Sequence, residues 1–464
     1  EKVKQNNLSQ ESSEFNLSED TYEISDNKIE QFEAKNKSDH IKFSNNLIEG
    51  EVSLIGGSIN NTKLKKYFAK PDSNQMINIL NDREYFSQLI IKAKDLNIDT
   101  NIRFDKIIKK DSNEILIGKN LGNKEILIRY LIPEDSYSIT REIIVKNNSS
   151  KNFIFRFFEE SIGEVLAQEY YDFGYYNGEE VENIDSTPSE PKKEIDDISW
   201  FGFSKKYFLV ANLIETAGEK TLKYEKKSTN LLRTVVSHKT INLLGNGQYS
   251  MVSDIFLGPK DYKILSQYGS LEKAHDLGWF DWLASPLEQL LNFSNKYIKN
   301  YGIAIIIITI LIRILFLPLT VKSMMSMKKM QSKMALLKPK LDEIKEKFKD
   351  DKSTQNSEIM KLYSKEGMNP LSSLSGCLPM LIQLPVFVAL YNVLLYSLDL
   401  RHTSFMWISD LSSPENLFDI FGIPFRALPL IMGISWYITQ KMTPPNPGAD
   451  EFQTKIFQYM PILF

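Results

Sequence analysis

The pattern of apolar and polar positions changes character twice along the chain. From Glu1 to about Asp39 polar residues and charges of both signs dominate, with few aliphatics. Such a composition cannot bury enough apolar surface to offset the entropy of ordering, so residues 1–40 are expected to form a disordered tether. From about Ile41, short alternating or β-branched runs follow one another between Gly, Asn and Pro. Val52-Ser53-Leu54-Ile55 precedes Gly56-Gly57, Glu114-Ile115-Leu116-Ile117 precedes Gly118, and Glu125-Ile126-Leu127-Ile128 follows Gly122-Asn123. Similar runs cover Ile139 to Val145, Asn152 to Phe158, Phe208 to Leu213, Leu231 to Val236 and Ser250 to Leu257. Many short strands between turn signals predict a β-sandwich over residues 41–270. A polar excursion from Gly174 to Asp197, with Pro188 and Pro191, reads as a surface loop within it.

Past this region the period becomes helical. Ser285 as cap, Pro286 at the first helical position and Glu288 completing a capping box predict a helix start. Leu287, Leu290, Leu291, Tyr297 and Ile298 recur at helical spacing, and Trp279, Phe280 and Trp282 stand just before. An amphipathic helix over 279–300 can lie in a membrane interface or pack on the sandwich; the aromatic cluster and the adjoining span favour the interface.

From residue 301 the chain is apolar in runs of spanning length. One runs from about Gly302 to Leu319 and contains a single charge, Arg313; a second lies over about 379–398 and includes Gln383 and Asn392. A third covers about 424–441, and a fourth begins near Ile456 and is cut by the end of the sequence. Between the first two lies a lysine-rich stretch, 322–367, that includes Lys328, Lys329, Lys338 and Lys345. The loop between the second and third carries only Arg401, with Arg426 at the next edge, so the lysine stretch is expected on the cytoplasmic side and the sandwich in the periplasm. Within the stretch, Met324, Met327, Met330, Met334, Leu337, Leu341, Ile344 and Phe348 form a helical stripe. A second helical run carries Ile359, Met360, Leu362 and Tyr363 beyond Asp350-Asp351-Lys352-Ser353, which predicts an antiparallel helical hairpin. Its methionines serve either helix packing or a flexible docking face.

Composition narrows the chemistry. The formal net charge is -3, so bulk charge indicates no nucleic-acid partner. Cys377 is the only cysteine, which excludes an internal disulfide, and the four histidines are far apart in sequence. The chain has no phosphate-binding glycine loop, Gly-x-Ser-x-Gly elbow or HExxH, and nothing in it reads as catalytic or as requiring a metal or cofactor. The chain starts without a methionine and stops inside an apolar run, so both ends read as cut.

The residues of the apolar half carry a specific resemblance. Tyr301-Gly302 with Ile305 to Thr309, Arg313 and Pro318-Leu319-Thr320, then Asn369-Pro370-Leu371 and the long run Gly376-Cys377-Leu378-Pro379-Met380-Leu381-Ile382-Gln383-Leu384-Pro385-Val386-Phe387, resemble the core of the YidC/Oxa/Alb insertase family. Gln440-Lys441-Met442-Thr443-Pro444 looks like the segment after the third core span of that family. A weaker likeness extends to the outer region at Ile55-Gly56-Gly57-Ser58, Trp200-Phe201, Lys206-Tyr207-Phe208 and Leu257-Gly258-Pro259-Lys260, as in Gram-negative members. One departure is Ser372-Ser373-Leu374-Ser375, where many members pass more directly from Asn-Pro-Leu to Gly-Cys.

The resemblance implies a mixed fold: a periplasmic β-supersandwich-like domain, similar in fold to sugar-processing enzymes, followed by a helical membrane core. It implies an insertase that is not an enzyme and that acts alone or beside the Sec translocon and its accessory subunits. Nascent membrane proteins, membrane lipids, and the ribosome and targeting machinery at the hairpin would be its partners. The family's arginine at the place of Arg313 sits in a hydrophilic groove open to the cytoplasm and to lipid; Thr309, one turn away, and Gln383 would join it there. On physical grounds alone, Arg313 either faces a wet cavity or snorkels to the cytoplasmic headgroups about six residues away. The rival function classes are a polytopic transporter or channel with a periplasmic binding domain, which should show repeats or paired broken helices, and an anchored sugar-binding protein.

Overall fold

The structure, a computed structural model, describes residues 39–71, 73–93, 102–164, 172–184, 198–214, 221–226, 231–365 and 378–442. The tether up to residue 38, Asn369-Pro370-Leu371, Ser372 to Ser375, Gly376-Cys377, Thr443-Pro444 and the fourth apolar run lie outside the described residues.

Two antiparallel sheets form the first half. Strands β1 (His40–Ser44), β2 (Ile48–Ser53), β3 (Ile59–Phe68) and β4 (Met76–Ala93) run as a meander. β5 (Lys106–Lys110), β6 (Glu114–Leu121), β7 (Lys124–Leu131) and β8 (Ser138–Asn147) build a second meander in the other sheet. β9 (Phe153–Glu164) returns to pair with β4. β10 (Asp172–Tyr176), β11 (Val181–Ile184), β12 (Trp200–Ser204) and β13 (Phe208–Ile214) extend the second sheet. β14 (Thr221–Lys226) and β15 (Leu231–Leu243) extend the first beyond β9, and β16 (Gln248–Pro259) closes the second between β13 and β8. The predicted sandwich is therefore present, but part of the expected surface loop is not a loop: β10 and β11 occupy Asp172–Tyr176 and Val181–Ile184. Pairing of Phe173 with Phe203 and of Tyr175 with Phe201 holds this polar-looking stretch in the sheet, where Phe173 and Tyr175 are buried. The remainder of that stretch, residues 185–197, lies outside the described residues.

Period-two alternation explains the core. In β9, Phe153, Phe155 and Phe157 point inward, Phe153 stacked on Phe155 and Phe155 edge-to-face with Phe157; in β8, Ile139, Ile143 and Val145 also point inward. The Gly56-Gly57 pair turns the chain after β2 with φ of 62° and 64°, a conformation that side chains with a Cβ rarely adopt. A Cβ on Gly57 would stand 2.6 Å from Ile128 Cδ1 and 2.7 Å from Tyr130 Oη, and the Tyr130 hydroxyl donates to the Gly57 carbonyl. The glycines thus permit both the turn and the close approach of the second sheet.

The same alternation carries charge into the core. Arg141 lies between Ile139 and Ile143 on the inward face of β8, and Glu159 continues the row Phe153, Phe155, Phe157 on β9. Both side chains are 0% exposed and meet at 2.5 Å. His238 Nε2 donates to the second Glu159 oxygen at 2.8 Å, a role assigned because an ionised carboxylate only accepts. Asn212 Nδ2 donates to Glu159 at 2.7 Å, and the Ser87 hydroxyl donates to it as well. Two irregularities aim these groups: the β4 register shifts at Tyr85/Gln88, with Ser87 at φ 59°, and that of β15 shifts between Ser237 and Thr240.

After the one-turn helix α1 (Tyr262–Leu265) come α2 (Asp281–Ile298), α3 (Tyr301–Lys347), α4 (Lys352–Lys365), α5 (Leu378–Tyr396) and α6 (Ala427–Met442). The two-residue strands β17 (Asp419–Ile420) and β18 (Ile423–Pro424) pair between α5 and α6. Two expectations need correction. Helix α2 starts at Asp281, four residues before the predicted cap, so Ser285 is not an N-cap and Pro286 lies inside the helix. Burial of Ala284, Leu287 and Leu291 on one face outweighs the donor that Pro286 removes. The first apolar run and the first hairpin arm are also not separate helices: α3 continues for 47 residues, about 70 Å at ~1.5 Å per residue, through Pro318 and Pro339.

Candidate functional site

The helical half is tied to the sandwich by specific contacts. Leu287 and Leu291 of α2, Ala304 and Ile308 of α3, and Ala389 and Val393 of α5 form one buried cluster. The two alanines let the helices approach closely. Asn392 Nδ2 of α5 donates to the Leu277 carbonyl at 2.7 Å, beside Gly278 at φ 82°, where a Cβ would stand 2.8 Å from that nitrogen. Gly302 leaves room for the Phe405 ring, which a Cβ would meet at 2.2 Å. On the sandwich side, Arg401 Nη2 donates to the Ala69 carbonyl at 3.2 Å.

His275 fixes α2 to the end of β16. Its Nδ1 lies 3.0 Å from the Lys260 carbonyl and its Nε2 3.0 Å from Glu288 Oε2. Both partners are acceptors, so only the doubly protonated imidazolium satisfies both contacts. Burial alone would lower the His275 pKa, but the Glu288 carboxylate outweighs it and the net direction is upward. A raised folded-state pKa means that this stabilisation is complete below the unfolded value of ~6.5 and is lost as pH rises through the folded value. Hydrogen exchange of the amides around Leu277 in the full-length protein is therefore expected to quicken from pH 6 to pH 9, after correction for intrinsic rates. In Glu288→Gln this extra acceleration should shrink; an identical pH response in both proteins would refute the latch.

On α3, Thr309 and Arg313 stand one turn apart, beside the packed row of Ala304, Ile308 and Ile312. Both are exposed, among apolar neighbours that are also exposed, including Ile310, Ile314 and Leu315. The Thr309 hydroxyl donates to the Ile305 carbonyl at 2.8 Å. Among the described residues Arg313 forms no hydrogen bond and no ion pair. Gln383 of α5 is half-buried. No hydrogen bond joins Thr309, Arg313 and Gln383 to one another among the described residues.

Of the described helices, one is long and apolar enough to cross a membrane, Tyr301–Ser326 of α3, with 26 residues. The apolar runs of the other two are shorter, Gln383–Tyr396 and Ala427–Thr439. At the end next to the sandwich, Trp279 is 96% exposed and Trp282 71% exposed. At the other end, the last part of α3 and α4 form the predicted hairpin. Leu337 and Leu341 pack on Ile359, Leu362 and Tyr363, so this part of the stripe serves helix packing, while Met324 remains exposed. Asp351 caps α4, accepting from the backbone of Ser353 and Thr354 at 3.1 and 3.0 Å, and Gln355 Nε2 reaches across to the Lys345 carbonyl at 2.9 Å. Lys328, Lys329, Lys338 and Lys345 are all exposed.

Comparison with known proteins gives these features a context. Residues 40–290 match the YidC periplasmic domain family and residues 293–464 the 60Kd inner membrane protein family. The membrane protein insertase YidC of Pelobacter propionicus is 42% identical over 293 residues, covering 62% of this chain and 52% of that protein. That of Syntrophus aciditrophicus is 43% identical over 294 residues, covering 62% and 51%. The chain thus spans about half the length of the curated relatives it matches. A crystal structure of an active YidC insertase with its first transmembrane domain resolved aligns with 93% of this chain and 87% of its own, at 18% identity and a TM-score of 0.35. A sandwich matched over its whole extent, followed by the inner-membrane core on the same chain, means that this protein belongs to the YidC family of membrane protein insertases.

Proposed function

We propose that the full-length protein assists the insertion, folding and assembly of other membrane proteins in the bacterial inner membrane, as a multi-pass protein whose sandwich lies in the periplasm. The observation that carries this reading is Arg313, exposed within a 26-residue apolar helical segment and without an acidic partner among the described residues. A cation at the centre of a spanning helix costs about 2.5–3.5 kcal/mol on insertion scales, which favours a wet surrounding or a bound partner. In this reading Arg313, Thr309 and Gln383 line a hydrophilic groove that shortens the dry path for the polar tail of a nascent protein. The free energy comes from the substrate's own apolar segment as it passes into lipid, so no nucleotide or cofactor is required. Helices α5 and α6 complete the core, and the protein works alone or beside the Sec translocon.

The hairpin supports the delivery step in this reading. Its exposed lysines offer a positive surface to the ribosome and targeting machinery, while Leu337, Leu341 and Tyr363 keep it folded independently of the spans. Proteoliposomes containing the full-length protein should insert a short single-span protein without nucleotide. Replacing residues 338–362 by a short Gly-Ser linker should slow ribosome-coupled insertion severalfold while protein abundance is retained. Absence of nucleotide-free insertion above empty liposomes would refute the function; normal coupled insertion by the shortened protein would refute only the role of the hairpin.

A further inference from the structure

A cleft of about 110 Å³ lies where the sandwich meets the helices, lined by Trp200, Ser204, Lys206, Lys260, Asp276 and Tyr396 among others. Segments far apart in the sequence converge there. Trp200 and Ser204 bound strand β12, Lys206 stands in the turn to β13, Lys260 follows β16, and Asp276 precedes α2. Tyr396 is the last residue of α5. Trp200 is almost fully buried and anchored by its indole, which donates to the Ser270 carbonyl at 3.2 Å. Lys260 Nζ donates to Ser204 Oγ at 2.9 Å, fixing one ammonium in the wall. The Lys206 ammonium lies 4.8 Å over the Tyr207 ring and meets no carboxylate among the described residues. Asp276 is exposed and uses one carboxylate oxygen to accept from the Gly278 backbone at 2.7 Å.

We propose that this cleft binds the headgroup of an outer-leaflet phosphatidylethanolamine, with the phosphate between Lys206 and Lys260 and the ammonium at Asp276. Two cations and one anion in a single cleft complement a phosphate that carries a primary ammonium, and a purely anionic headgroup would leave Asp276 opposed. A quaternary ammonium could not donate a hydrogen bond to that carboxylate. The lipid source follows from position. Tyr396 ends an apolar helix, and the exposed Trp279 and Trp282 follow Asp276 within a few residues, as expected of side chains at headgroup level. The acyl chains would then descend along α5 and α2. Binding there joins the sandwich to the membrane surface.

The inference rests on the reading that α5 crosses the membrane with Tyr396 at the outer face. The test uses the full-length protein in mixed micelles with equal parts of phosphatidylethanolamine, phosphatidylcholine and phosphatidylglycerol, and lipids retained after detergent exchange are counted by native mass spectrometry. Phosphatidylethanolamine should be retained selectively. Losing charge-assisted contacts in Lys206→Glu/Lys260→Glu should reduce its retention at least roughly tenfold. Lys206→Ala, which leaves the Lys260–Ser204 bond in place, should reduce it in part, and Lys263→Glu outside the cleft should have no effect. Unchanged retention in both cleft variants, with the sandwich still protease-resistant, would overturn the site. Preferred retention of phosphatidylglycerol would overturn the zwitterionic assignment, and full displacement by equimolar glycerophosphoethanolamine would overturn the lipid assignment. Insertion by the same preparations is read separately. Retention without insertion would remove the insertase reading and leave the site standing, whereas insertion by wild-type protein that retains no lipid would overturn the site alone.

Discussion

Arg141→Met unfolds the outer sandwich under conditions in which the parent is stable. The substitution fills a similar volume, so the expected loss comes from charge: Glu159, 0% exposed, is left without its cation. Breaking a buried pair by removing one partner costs about 3–5 kcal/mol, a large share of the roughly 5–15 kcal/mol that holds a domain folded. His238, Asn212 and the Ser87 hydroxyl still contact the carboxylate but do not replace the guanidinium. Urea unfolding of the full-length protein, followed by protease resistance of the sandwich, should show a midpoint shifted far downward. The double variant Arg141→Met/Glu159→Met should recover part of the loss, because neither buried charge is then uncompensated. Acid should act in the same direction. Burial alone would raise the Glu159 pKa, but Arg141, His238 and Ser87 overcome it and hold the carboxyl well below the usual carboxylate range. A depressed folded-state pKa gives stability that is complete above the unfolded value of ~4.3 and lost as pH falls through the folded one. A parent-like midpoint in Arg141→Met would show that the pair contributes little.

That network was legible in principle and shows what one-dimensional patterns conceal. Arg141 occupies the inward position of Ile139-Thr140-Arg141-Glu142-Ile143, and Glu159 that of the row begun by Phe153, so each breaks an apolar alternation by a single charge. That they are each other's partners depends on the pairing of β8 and β9 with different sheets, which alternation cannot supply. Strand β4 is hidden in the sequence because Asn81-Asp82-Arg83-Glu84 has turn composition, yet it continues through a bulge, where Glu84 accepts from the Asn81 and Glu164 amides. The false start at Ser285-Pro286 has a related cause: local capping chemistry was right for an isolated peptide, and packing of Ala284 against α3 and α5 moved the start to Asp281. Arg313 needed no structure, since one charge in an apolar run is conspicuous. Which residue of α5 faces it was not legible, because α5 is apolar on nearly every side and offers no periodicity from which a facing residue can be chosen. The cleft between Lys206, Lys260 and Asp276 gave no signal in sequence, since its walls come from segments as far apart as β12 and the end of α5.

Arg313→Ala is expected to slow insertion of substrates with acidic translocated tails by roughly tenfold to a hundredfold, the range given by losing one charge-assisted contact of about 1.5–3 kcal/mol. The helix itself should survive, because the change makes an exposed apolar face more uniform. Arg313→Lys keeps the charge and should keep much of the activity, although the planar fork is lost. The measurement that bears most directly on the proposed groove is therefore a matched comparison in proteoliposomes of acidic and neutralised versions of one single-span substrate, with the parent, Arg313→Lys and Arg313→Ala. A defect confined to Arg313→Ala and to the acidic tail is the predicted result. If Arg313→Ala inserts both tails as fast as the parent does, the guanidinium merely reaches the headgroups and the groove mechanism is wrong.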